Sequence, residues 1–174
     1  MTMNRLVALM VVIFLFESAV MPWLIPVGMG SRIIPHFTFV FIILAALYNG
    51  RHAALVLGIA FGFLQDVVFY GHLLGPYAFA MGLIGYLTGL VMSRKRSTML
   101  MAMTIVGLTS LMLDSLIYFI NYVFRITSES YVWALLNHMI PSVFLQLAFA
   151  LICYIPARRW NEGHVKKKPE QESE

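Results

Sequence analysis

Three carboxylic acids, Glu17, Asp66 and Asp114, fall inside long apolar runs of this chain. An acid at the centre of a lipid-crossing helix costs about 2.5–3.5 kcal/mol on insertion scales, so each should face protein or a watery cleft and have a partner. Two readings follow. The acids can be held by hydrogen bonds that fix helix packing, or they can handle protons, ions or a substrate. His138, Asn137 and Gln146 in the last apolar run are candidates to answer them across a bundle. Asp66 and Asp114 on two helices could also share one proton as an aspartyl dyad. The Tyr-Asp and Gly-x-Gly-Asp motifs of intramembrane aspartyl proteases are absent, since the chain reads Leu64-Gln65-Asp66 and Met112-Leu113-Asp114. Gly107-Leu108-Thr109-Ser110 is not a nucleophile elbow, and no glycine-rich phosphate loop occurs. The five histidines include no pair at metal-ligand spacing, and Cys153 is the single cysteine. No catalytic residue, metal site or cofactor is therefore expected.

The elements that must position these acids are glycine-rich. Gly58, Gly62 and Asp66 recur every four residues, which puts them on one face of a helix. Two positions without side chains let another helix approach closely. The stretch from Ala53 to Pro76 is accordingly expected to be the interior element about which the rest is arranged. The next run has a second small-residue face, Gly82, Gly85 and Gly89, and is entered through Gly75-Pro76. The short link between the two runs predicts a tight antiparallel pair. Gly58/Asp66 and Gly107/Asp114 hint at an internal three-helix repeat, with unequal offsets.

Composition sets the environment. Hydrophobic residues make up 60% of the chain and charged residues 11%, against about 45–50% and about 25% in soluble domains. The excess comes in runs most of which are long enough to cross about 30 Å of hydrocarbon: Leu6–Ile25, the shorter Ile33–Tyr48, the Ala53–Pro76 stretch, Leu73–Met92, Met99–Phe124 and Tyr131–Ile155. Arg5 through Val20 has the outline of a signal peptide, but the apolar character continues to Ile25, so it is read as a retained span. An all-α bundle of six transmembrane helices is expected over residues 1–157, with a polar tail over 158–174. The net charge is +4, but the cations form no basic face interleaved with aromatics, which argues against nucleic acid. They act as topology signals. With both termini cytoplasmic, ten lie inside, including Arg94, Lys95, Arg96, Arg158 and Arg159, against two outside, Arg32 and Arg125.

The segment Gly58-x3-Gly62-Phe63-Leu64-Gln65-Asp66, followed by Leu74-Gly75-Pro76-Tyr77 and the Gly82/Gly85/Gly89 helix, resembles the rod shape-determining MreD family. So do the chain's size, six apolar runs, short loops and basic tail. Gln65 stands where the family often has leucine. The resemblance implies a multi-pass protein of the bacterial cytoplasmic membrane, part of the machinery that elongates the lateral wall. It implies work with the bitopic protein MreC, the actin-like MreB, the polymerase RodA and a class B penicillin-binding transpeptidase. The family is also similar to the substrate-binding subunits of energy-coupling-factor transporters, which are six-helix bundles.

Two functions are thus carried forward. In the first, the protein is a non-enzymatic assembly partner: the glycine and Asp66 faces organise the bundle, and a groove on its surface receives the MreC membrane helix. In the second, it binds or transports a small molecule or lipid, with the acids and His138 handling protons or a cationic group.

Overall fold

A computed structural model describes residues 3–19, 36–68, 73–92 and 98–165, with side chains described for residues 6–19 and as far as Ile152. The end of the first expected run, the loop after it and the start of the second run (residues 20–35), the corner at 69–72, the basic loop 93–97 with Arg94, Lys95 and Arg96, and the tail beyond 165 lie outside the described residues. All the regular structure described is helical. The helices are α1 (Met3–Ala19), α2 (Phe37–Asn49), α3 (Arg51–Val68), α4 (Pro76–Met92) and α5 (Met99–Val123). A sixth, α6, starts as Tyr131–Ala134, passes through a π-helical turn at Leu135–Met139 and continues as Ile140–Val165.

Three of them, α3, α5 and Tyr131–Ile152 of α6, are long and apolar enough to cross a membrane. The others are shorter. At 1.5 Å per residue the 13 residues of α2 span only about 20 Å, less than a bilayer core. The reason is its position. Nine of its 13 residues are buried, and they lie on every side of the helix. α2 packs against α1, α3, α4, α5 and α6 and is the centre of the fold.

This corrects the expectation that the Ala53–Pro76 stretch is the central element. α3 buries one stripe, which includes Leu57, Gly58, Phe61, Gly62, Gln65 and Asp66. Its opposite face, with Val56, Ile59, Phe63, Leu64 and Val67, is exposed and apolar, as a lipid-facing surface must be.

The closest contact in the bundle is the antiparallel α3/α4 pair. A Cβ on Gly58 would lie 2.7 Å from the Met81 carbonyl oxygen, and one on Gly62 would lie 2.6 Å from the Ala78 Cα. At the other end a Cβ on Gly89 would lie 2.5 Å from the Arg51 Cα. Only bare backbone fits along this seam. Gly82 faces the Ile59 side chain, and Gly85 lies between Ile42 of α2 and Ala54 of α3. Gly107 of α5 is different, since a Cβ there would make only ordinary contact with Leu147 at 3.5 Å. The hinted repeat of α3 in α5 therefore has no counterpart in packing.

Pro141 accounts for the π-helical turn. It has no N–H for the Asn137 carbonyl, and its ring crowds that group. The helix widens over the preceding turn, and side chains take up carbonyls there. Asn137 Nδ2 donates to the Trp133 oxygen at 3.2 Å, and Ser142 Oγ donates to the His138 oxygen at 2.7 Å. Beyond residue 157, where the tail was expected to begin, the α6 backbone stays helical through Arg158 and Arg159 to Val165.

Candidate functional site

Because successive helices reverse direction, the ends of α1 and α3 meet the starts of α2 and α4 at one end of the bundle. All three acids lie toward that end. Each helix start carries backbone N–H groups without intrahelical partners and a partial positive charge.

Glu17, near the end of α1, serves the start of α2. Its Oε2 accepts from the Thr38 backbone N–H at 2.8 Å and from Thr38 Oγ1 at 2.7 Å. Its Oε1 accepts from Gln65 Nε2 at 2.7 Å. The residue at the cap position itself, His36, makes no side-chain cap bond. Gln65 is thus the link that ties Glu17 to α3.

Asp66 does the same for α4. Oδ1 accepts from the Tyr77 N–H at 3.2 Å and Oδ2 from the Ala78 N–H at 3.0 Å. These are the second and third helical positions, which a cap side chain normally satisfies. The local residue is Gly75, which has no side chain to offer. Its φ of +115° suits glycine and turns the chain into the helix. Pro76 occupies the first helical position, where a missing N–H does no harm. Gly58, Gly62, Asp66, Gly75 and Pro76 are therefore parts of one joint, in which the glycines bring α4 close enough for a carboxylate of α3 to cap it.

Asp114 has a different setting. It lies well inside α5, and its Oδ1 is 3.7 Å from His36 Nε2. Its Oδ2 and His36 Nδ1 are buried without hydrogen-bond partners. Both residues line a cleft of about 250 Å³, together with Tyr77, Tyr118, Asn121, Glu129, His138 and Ser142, among others. The wall supplied by α6 is the π-helical turn, and such turns recur at functional sites. His138 packs edge-on against Trp133, ring centroids 5.1 Å apart.

The expected answers from α6 take another form. Glu17 and Asp66 are held by Thr38, Gln65 and the α4 backbone. Among the described residues Gln146 is buried with neither amide atom hydrogen-bonded, and Asn137 bonds within its own helix. Asp66 and Asp114 share no contact of the kind a proton-sharing dyad needs, because both Asp66 oxygens are occupied by backbone donors. His36 and Thr38 are site residues that the sequence did not single out, and Tyr77 entered only as the end of the Leu74-Gly75-Pro76-Tyr77 motif. The signal that could have found His36 and Thr38 was their place at the start of an apolar run, opposite an acid at the end of the preceding one. Among the described residues no group of three or more His, Cys, Asp or Glu side chains could hold a metal ion.

A family model described as rod shape-determining protein MreD matches residues 2–159. Neither the curated proteins nor the solved structures gave a significant match.

Proposed function

This chain belongs to the MreD family, and from that premise we propose that it serves as a non-enzymatic scaffold of lateral wall elongation that receives the membrane helix of MreC. Membership carries a role in rod-shape determination within the cell-wall machinery. The membrane location agrees with three helices of spanning length and composition. MreB, RodA and a class B penicillin-binding transpeptidase complete the proposed assembly. The proposed topology has six crossings with both termini cytoplasmic, and Arg94, Lys95, Arg96, Arg158 and Arg159 hold it by the positive-inside bias.

The observation that supports a scaffold is the α3/α4 joint. Its buried faces are taken up chiefly by backbone contact and by the Asp66 cap on α4. Its outer faces present Ile59, Phe63 and Val67 of α3 and Phe79, Leu83, Leu87 and Leu90 of α4. Backbone contact along the whole seam makes the pair rigid, and a rigid apolar face can select a partner helix by shape.

The test is co-purification of MreC from membranes, together with cell shape, for Asp66→Asn and Asp66→Leu. Loss of both readouts is expected for Asp66→Leu, with a milder effect for Asp66→Asn. Full retention of MreC and rod shape in both variants refutes the role assigned to this carboxylate. Photo-crosslinkers at Phe63 and Leu87 should trap MreC, whereas one at Phe144 on α6 should not.

A further inference from the structure

We infer that the cleft between α5 and the π-helical turn of α6 is a binding site for a primary ammonium group, carried by an ethanolamine lipid headgroup or by a free amine. The proposal goes beyond the scaffold reading and does not depend on it.

Its first support is what the walls offer. Asp114 brings a carboxylate, Glu129 lies at the rim, and Asn121, Thr127 and Ser142 bring neutral polar groups. No lysine or arginine is among the lining residues, so an anion would find no charge partner. Tyr77 and Tyr118 add aromatic walls, and a cation near such a ring is attracted by its negative face. The two rings are held in place. Tyr77 lies 5.4 Å from the His36 ring, and Tyr118 packs edge-on against Tyr131 while its hydroxyl donates to the Glu129 carbonyl at 2.6 Å.

Unmet hydrogen bonding is the second support. His36 is only 4% exposed, lines the cleft, and leaves Nδ1 without a partner. Asp114 Oδ2 is likewise unpartnered. An imidazole whose Nε2–H is turned toward Asp114 points its Nδ1 lone pair away from that carboxylate, so the two acceptors need separate donors and Asp114 is the one a cation in the cleft would meet. Buried polar atoms are seldom left so. A group with N–H donors and a positive charge supplies Asp114 with the donor and the counter-charge it lacks. A metal ion does not suit, because among the described residues no three ligating side chains converge.

Location narrows the source. Phe119, Tyr122, Phe124, Tyr131 and Trp133 are all exposed around the same end of α5 and α6. Aromatics of this kind gather where headgroups meet hydrocarbon. The cleft therefore opens at headgroup level, where an ethanolamine lipid presents its ammonium.

The experiment uses the purified full chain. Native mass spectrometry measures retention of phosphatidylethanolamine against phosphatidylglycerol and phosphatidylcholine of matched acyl chains. Thermal unfolding in lipid-free detergent measures stabilisation by free ethanolamine. Retention of phosphatidylethanolamine above both other lipids supports the lipid source, and a thermal shift with ethanolamine alone supports a free amine. Asp114→Asn should weaken either signal about tenfold, as expected for losing a charge-assisted bond. Glu129→Gln, in an exposed loop, should weaken it less and leave the melting temperature unchanged. The proposal is overturned if neither lipid nor amine binds, or if binding is the same in wild type, Asp114→Asn and the double variant Asp114→Asn/Glu129→Gln. Equal retention of phosphatidylcholine, whose quaternary ammonium has no N–H to donate, also overturns it.

Discussion

Glu17 and Asp66 on the one hand and Asp114 on the other are the same functional group in different surroundings. Glu17 and Asp66 each end an outgoing helix and cap the start of the returning one, and every oxygen of both has a donor within 3.2 Å. Asp114 sits inside its helix, is 3.7 Å from one imidazole nitrogen, and leaves an oxygen unmet beside a cleft. The hairpins α1/α2 and α3/α4 follow one rule, and α5/α6 departs from it. A carboxylate whose oxygens are all taken up by donors of neighbouring helices is a structural fastener. One left partly unused on a cleft wall is available to something outside the chain.

The largest effect that would test this contrast is expected from Asp66→Leu. It leaves the Tyr77 and Ala78 N–H groups buried and unpaired, at about 1–3 kcal/mol each. Thermal unfolding of the purified protein should show a loss on the order of 4 kcal/mol. Next comes Gly62→Ala, whose methyl would lie 2.6 Å from the Ala78 Cα. Forcing the seam apart should cost about 1–3 kcal/mol and should also lengthen the two cap bonds, visible as faster amide exchange at Tyr77 and Ala78.

Glu17→Gln keeps one acceptor for Thr38 but sets its own amide against that of Gln65, so a loss of about 1 kcal/mol is expected. Pairing it with Gln65→Glu, which restores a donor–acceptor match, should recover part of that loss in a double-mutant cycle. Asp114→Asn should change stability by about 0.5 kcal/mol or less, because no hydrogen bond holds that side chain. If it destabilised the fold as much as Asp66→Leu, the distinction between fastener and open acid would collapse. Smallest of all is Gly107→Ala, where the methyl makes ordinary contact with Leu147. It should be neutral or stabilise the helix by about 0.5 kcal/mol.

Much of this architecture could be read before any coordinates. Gly58, Gly62 and Asp66 were legible because the penalty for an acid in lipid and the four-residue spacing both point the stripe inward. The α3/α4 pair was legible because two glycine faces are joined by a short link. The six helices followed from the apolar runs and their flanking charges. The central place of α2 was not legible. A run such as Phe37-Thr38-Phe39-Val40-Phe41-Ile42-Ile43 is apolar on every side, and lipid and protein interior impose the same composition on it. The π-helical turn had a signal in Pro141, but a proline inside a helix can also produce a kink.

Sequence alone settled that the acids must be answered and that the glycines must be covered, since both demands come from the cost of polar atoms in hydrocarbon and from the space a missing side chain leaves. Which groups answer them was decided in three dimensions. The partners of Glu17 and Asp66 are chiefly backbone N–H groups at the starts of other helices, and every residue type except proline carries that donor. No residue letter marks that donor, so the meeting of helix ends is what shows that two acids are fastened and the third is open.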